Sequence, residues 1–231
     1  MDGRRKGIIA IVKQLILDLI PPSAPTLDNF VPGRNGEALK ALLDAASGTP
    51  AAKIFYLWGG TSSGKSHLVQ SFPAALGAAE FFAEHAGVLP ETVSHFIVDD
   101  VHSINDEHQI GVFNLINLLI ASTTNHVLVA TGNAAPRDLA IRRDLASRLG
   151  QGLVFQLTPL SDDEKSAALR AHARTRGFAL REEVIAYLLR HSRRDMAALI
   201  GFLDALDKYS LETGREITLP LLREMSQPNL V

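Results

Sequence analysis

The chain has no cysteine among its 231 residues. Disulfides and thiolate-bound metals are therefore excluded, and the composition suits a reducing cytosol. Net charge is nearly absent as well: 23 Lys and Arg against 25 Asp and Glu give −2, so no global basic field points to nucleic acid. Long apolar runs are missing. The stretch Gly7–Val12 follows Arg4-Arg5-Lys6 in the manner of a signal peptide, but Lys13 and Asp18 interrupt it and no small-residue cleavage site follows. It is also far too short to cross a bilayer. The expectation is a soluble cytoplasmic protein with no membrane partner. There is no internal repeat and no low-complexity segment, and the eight histidines contain no H-x-x-x-H pair, so no histidine metal site is assigned.

What is present is an apolar fraction of 46%, enough for one large domain or one domain with a smaller satellite. Within it, Gly59-Gly60-Thr61-Ser62-Ser63-Gly64-Lys65-Ser66 is a complete phosphate-binding loop of the form G-x-x-x-x-G-K-[ST]. Glycines let the backbone wrap phosphate oxygens in conformations that a side chain forbids, and successive N–H groups then face the anion. Lys65 is expected to reach the β- and γ-phosphates, and the Ser66 hydroxyl to sit on Mg²⁺. The apolar run Lys53–Trp58 reads as a buried strand and His67–Phe72 continues as a helix, which is the arrangement such a loop requires. A plain glycine turn is the alternative.

Pro21-Pro-Ser-Ala-Pro25 sets off the first residues as an extended arm, residues 1–25. Arg34–Ser47 has helical spacing. Short strands are expected at Ala79–Phe82, His95–Asp99, Val127–Thr131 and Leu153–Leu157. Gln109–Ala121, apolar almost all round, reads as a buried helix. Alternating short apolar strands and helices predict a five-stranded parallel sheet covered on both faces, residues 26–158. After Pro159 the pattern changes. Ser161-Asp-Asp-Glu164 is a capping box opening a helix to about Arg176. Helical stretches follow at Arg181–His191, Arg194–Leu211 and Thr218–Met225, so residues 159–231 are predicted to be a small all-helical domain.

Phe96-Ile-Val-Asp99-Asp100 is apolar and then abruptly acidic, like a Walker B segment. A carboxylate at the end of a buried strand beside a phosphate loop can hold Mg²⁺, the role given to Asp99. Asp100 falls where many ATPases place a glutamate that polarises the attacking water, and it is one methylene shorter. The pair could equally open a surface turn. Thr131-Gly-Asn133 ends the next strand on the same edge, where Asn133 could touch the γ-phosphate or simply form a turn. Arg148 could project into a neighbour's nucleotide site, whereas its spacing favours an i,i+4 ion pair with Asp144. Arg194 could meet bound phosphates or be a solvated residue beside Asp195. Thirteen of the sixteen arginines lie between Arg137 and Arg223, leaving room for a local anion-facing surface.

Together these residues resemble the AAA+ ATPase family, and within it the bacterial replication initiator DnaA and its regulatory relatives. Leu27–Asn35, with Val31, resembles the segment that encloses adenine. Asp138–Gly152 resembles the arginine-finger box and Ser192–Ala197 the sensor 2 helix. The resemblance spans Thr26 to about Met225. It implies an α/β nucleotide domain with a helical lid, and ADP or ATP with Mg²⁺ held by Val31, Gly59 through His67, Asp99 and Arg194. Catalytic roles fall to Asp99, Asp100, Asn133 and Arg148, the last acting in trans.

Gln14-Leu-Ile-Leu-Asp-Leu19 resembles the hexapeptide by which DnaA-related inactivators dock on the sliding clamp, with Gln14 hydrogen-bonding and Leu15, Leu17 and Leu19 as anchors. Two features depart from that pattern. Met1–Lys13 precede the hexapeptide, and Asp18 stands where proline or another small residue is usual. The implied partners are the clamp and DnaA, with DNA contacted only indirectly and a homodimer or higher oligomer open. The implied function is a regulator that stimulates hydrolysis of DnaA-bound ATP, with at most weak ATPase activity of its own. The alternative is a loader or remodeller that hydrolyses its own ATP.

Overall fold

A computed structural model of the chain describes residues 24–72, 75–78, 81, 88–91, 93–191 and 195–225. Gln14–Leu19 and Arg194 lie outside these. The chain parts into compact units between Pro159 and Leu160.

In the first unit, α1 (Gly36–Ala46) precedes β1 (Ile54–Trp58), α2 (Lys65–Gln70), β2 (Leu76–Gly77), β3 (His95–Val98), α3 (Asp106–Ala121), β4 (Val127–Gly132), α4 (Arg143–Gly150) and β5 (Leu153–Gln156). The strands form one sheet of order β2-β3-β4-β1-β5, and every pairing is parallel. β1 thus lies between two strands that are not its neighbours in sequence, and the chain crosses over the sheet between them.

Alternation along β1 divides the core. Ile54 and Tyr56 face one layer with Phe96, Val98, Leu128 and Ala130, covered by α3 and α4. Phe55 and Leu57 face the other with Val127 and Val129, covered by α1 and α2. Both faces of the sheet are therefore buried, which is why the strands read as continuous apolar runs.

Two sequence expectations need correction. The strand expected at Ala79–Phe82 lies earlier, at Leu76–Gly77, and Phe81 is helical. Phe81 is apolar because it is fully buried edge-on against Phe96, at 5.0 Å between ring centroids, not because it extends a strand. Second, α3 starts three residues before Gln109 and is not buried all round. It buries Gln109, Val112, Leu115, Ile116 and Leu119, while Ile110 and Ile120 are 43% and 47% exposed.

In the second unit the described residues form only helices: α5 (Asp162–Thr175), α6 (Glu182–His191), α7 (Met196–Thr213) and α8 (Leu219–Met225). They close around Leu169, Leu188, Leu199, Phe202, Leu206 and Leu221. The α5 start is a reciprocal cap, with Ser161 Oγ accepting from the Glu164 N–H and Glu164 Oε2 from the Ser161 N–H. A left-handed Gly214 ends α7. Among the described residues no helix is long and apolar enough to cross a membrane.

Candidate functional site

The loop Gly59–Ser66 leaves the C-terminal end of β1 and enters α2. Ser62 and Gly64 take left-handed backbone, φ 59° and 92°, the kind of alternation that nests anions. Lys65 Nζ donates to the carbonyl oxygens of Gly59 and Gly60, at 2.9 Å each, so its ammonium lies across the loop. The Ser63 hydroxyl oxygen is buried without a hydrogen-bond partner, while Thr61 and Ser66 are exposed. A cation curled over a nested backbone, with an unsatisfied hydroxyl beneath, fits a polyphosphate group.

The segment ahead of α1 packs against this loop. A Cβ on Gly64 would lie 2.7 Å from Phe30 Cε2, so glycine is what lets the ring approach. The Phe30 ring also stands 5.4 Å from the His67 ring, and His67 Nε2 is 3.0 Å from the Thr26 carbonyl oxygen. Asn35 pins the other end: its amide donates to the Thr158 carbonyl at 2.9 Å and accepts the Thr158 N–H at 2.8 Å. Val31, half-buried, lies between these anchors. The stretch Leu27–Asn35 and the loop residues through His67 are thus brought to one edge.

Register brings the next strands to the same edge. Val98 is level with Ala130 and Trp58 with Gly132, so Asp99, Thr131 and Gly59 follow one another along the strand ends. The Thr131 hydroxyl donates to Asp99 Oδ1 at 2.6 Å and accepts the Asp100 N–H at 2.8 Å. Asp100 has left-handed backbone, φ 50°, a conformation disfavoured without glycine. Asp99 and Asp100 are both half-buried, and Asn133 is exposed. Beneath Asn133, the Tyr56 hydroxyl donates to the Ala134 carbonyl at 2.7 Å. Burial, and then the charge of Asp100, push the Tyr56 phenol above its ordinary range. Thr131 and Tyr56 escaped the sequence reading because their partners sit on neighbouring strands. Only the paired register joins them.

Arg148 lies on α4, half-buried. The ion pair with Asp144 suggested by spacing does not form. Asp144 is taken by Arg142, whose Nε and Nη2 donate to its two carboxylate oxygens at 3.2 and 2.8 Å. The Arg142 hydrogen bond and the Leu145 N–H hold the Asp144 carboxyl below its usual range. Arg148 instead donates to Gln151 Oε1 at 3.1 Å, and its guanidinium lies over the Phe113 ring at 5.8 Å. Alongside, α4 and the loop before it form a groove of about 830 Å³ that includes Pro136, Arg137, Ile141 and Arg143.

Residues 162–225 match the family described as "Hda, lid domain". The fold is similar to domain III of the Thermotoga maritima replication initiation protein DnaA, with a TM-score of 0.64 and 24% identity, covering 90% of this chain and all of that one. AMPPCP-bound DnaA from Aquifex aeolicus is similar at 0.62 and 22% identity, over 84% of this chain and 68% of the other. A RuvB variant from Thermotoga maritima aligns at 0.62 with 15% identity, over 91% of this chain and 72% of the other.

Proposed function

We propose, from the premise that this is a DnaA-related protein of AAA+ fold with an Hda-type lid, that it is a nucleotide-bound regulator which stimulates hydrolysis of ATP held by DnaA. The similarity of residues 162–225 to the family described as "Hda, lid domain" supports this reading. The single observation that carries this reading is the state of Arg148. Asp144, the carboxylate nearest in spacing, is engaged by Arg142, and among the described residues Arg148, half-buried, is held by a neutral amide and an aromatic face. A guanidinium so placed keeps its charge for an outside anion. An arginine supplied in trans to a phosphoryl transfer is worth about 10³–10⁵ in rate.

The chain's own nucleotide, ADP or ATP, would be held by Gly59–His67 with Val31 on the adenine side, and Mg²⁺ by Ser66 and Asp99. When bound, the metal would neutralise phosphate charge. The residues around it do the rest. Lys65 neutralises and orients the phosphates, Phe30 and Asn35 fix the enclosing segment, and Thr131 holds Asp99. Asp100 and Asn133, at the same edge, would set any residual hydrolysis. Nucleotide here serves structure or regulation. The arm Gln14–Leu19, with Gln14, Leu15, Leu17 and Leu19, would bind the sliding clamp and so bring the protein to DNA. Arg194 would be a further ligand of the bound phosphates.

The test measures clamp binding and stimulated DnaA–ATP hydrolysis for the wild type, for a Gln14/Leu17/Leu19 triple-alanine form and for Arg148→Ala. The arm form is expected to lose both activities. Arg148→Ala is expected to keep clamp binding and to lose stimulation by about 10³-fold or more. Normal stimulation by Arg148→Ala would eliminate the trans-arginine mechanism. DnaA-independent ATP turnover surviving deletion of residues 1–20 would favour the loader reading.

A further inference from the structure

We infer that Thr131 is a positioning residue for the metal side of the nucleotide site, acting through Asp99. The inference rests on the reading of Asp99 as the Mg²⁺ carboxylate. Thr131 is the last-but-one residue of β4 and has no exposed surface. A hydroxyl carries one proton and two lone pairs. Here the Asp100 N–H approaches the oxygen at 2.8 Å, so a lone pair is taken by that donor and the single proton is directed to Asp99 Oδ1 at 2.6 Å. Thr131 itself has no exposed surface, so water does not reach its side chain to compete for these contacts. The branched side chain is stiff at χ1, so the hydroxyl is held in place before any ligand arrives.

The consequence falls on two consecutive carboxylates. Asp99 has one oxygen tied to Thr131, which fixes the carboxylate rotation and leaves its other oxygen for a cation. Asp100 has its N–H tied to the same hydroxyl and its backbone in the left-handed region. One side chain on β4 therefore sets both the orientation of Asp99 and the turn that carries Asp100 out of the strand. Tyr56 on β1 fixes the following residues through Ala134, so the β4 end is tied to β1 on one side and, through Thr131 and Asp99, to the end of β3 on the other. Groups that orient a metal ligand without touching the metal typically contribute about 10–100-fold in metal affinity.

The test uses the full chain and a fluorescent ADP analogue, titrated first in EDTA and then at stepped Mg²⁺. Thr131→Val removes the hydroxyl at nearly constant shape. It should leave affinity in EDTA unchanged and raise the Mg²⁺ concentration at half-effect about tenfold or more. Thr131→Ser, which keeps the donor, should restore the wild-type response. Thr131→Cys, with only a weak S–H donor, serves in place of the valine form if that form does not fold, and should show the same loss. In an Asp99→Asn background Thr131→Val should change nothing further. Equal Mg²⁺ dependence in the wild type and Thr131→Val overturns this inference alone, as does an equal loss in EDTA and in Mg²⁺. A wild type whose affinity ignores Mg²⁺ overturns the metal-site reading and this inference with it.

Discussion

Gly132→Ala is a demanding perturbation of this architecture. A Cβ at Gly132 would stand 2.0 Å from the Tyr56 hydroxyl oxygen and 2.9 Å from its Cζ, against roughly 3.5 Å or more for relaxed carbon contacts. Tyr56 has no exposed surface and lies on β1, an interior strand between β4 and β5, so the ring has nowhere to swing. Relief requires the phenol to leave the Ala134 carbonyl. Overpacking of this kind costs about 1–3 kcal/mol. A buried hydrogen-bonding group stripped of its partner costs about 1–3 kcal/mol more. The expected loss is thus about 2–6 kcal/mol, a large share of the roughly 5–15 kcal/mol by which domains are stable. Urea unfolding followed by emission of Trp58, the chain's single tryptophan and a β1 residue, reads this unit directly. Tyr56→Phe alone should cost about 1–3 kcal/mol, since it orphans the Ala134 carbonyl. Combined with Gly132→Ala it should cost less than the sum by about 1 kcal/mol or more, because the colliding oxygen is gone. Additive single effects, or a Gly132→Ala form within about 0.5 kcal/mol of wild type, would refute the close-approach argument.

Other outcomes follow from the same geometry. Ser161→Ala removes the side-chain half of the α5 cap, leaving the bond from the residue 161 N–H to Glu164 in place, and should destabilise the helical unit by about 1 kcal/mol, with faster amide exchange at Glu164; unchanged exchange there would contradict it. Burial first, and the charge of Asp100 second, raise the Tyr56 phenol in the folded chain. Its contribution to stability is therefore complete below the unfolded value of about 10 and is lost as pH rises beyond it. Unfolding free energy should fall above about pH 10 less steeply in Tyr56→Phe than in the wild type, and equal slopes would refute the shift.

The sheet was legible because strands buried on both faces leave an unbroken apolar signature, and Ile54–Trp58, His95–Val98 and Val127–Gly132 lie within a residue of where that signature puts them. Helix starts were legible where a cap announces them, as at Ser161. Leu76–Gly77 was not, since two residues carry no period at all. The exposed side of α3 was hidden for a different reason: Ile110 and Ile120 are as apolar as the buried Val112 and Leu119, and composition does not say which face meets the sheet.

The site shows the same division between local and non-local information. The phosphate loop is contiguous, so its spacing alone names Gly59 through Ser66. Thr131 and Tyr56 matter only through partners 32 and 78 residues away, and their roles appear only once β3, β4 and β1 are in register. Arg148 is the instructive intermediate case. The i,i+4 rule offers it Asp144, but that rule assumes two residues inside a regular helix. Asp144 is in the first turn of α4, two residues after Arg142, whose backbone is still non-helical at φ −55°, ψ 133°. From there the Arg142 side chain folds over the helix start and takes both carboxylate oxygens in fork geometry, a stronger arrangement than a single contact from Arg148. Arg148 is thereby left to a neutral glutamine and a phenyl face, neither of which cancels its charge. The helix boundary, and not the helix, decides which arginine pairs with Asp144 and which is left to Gln151 and Phe113.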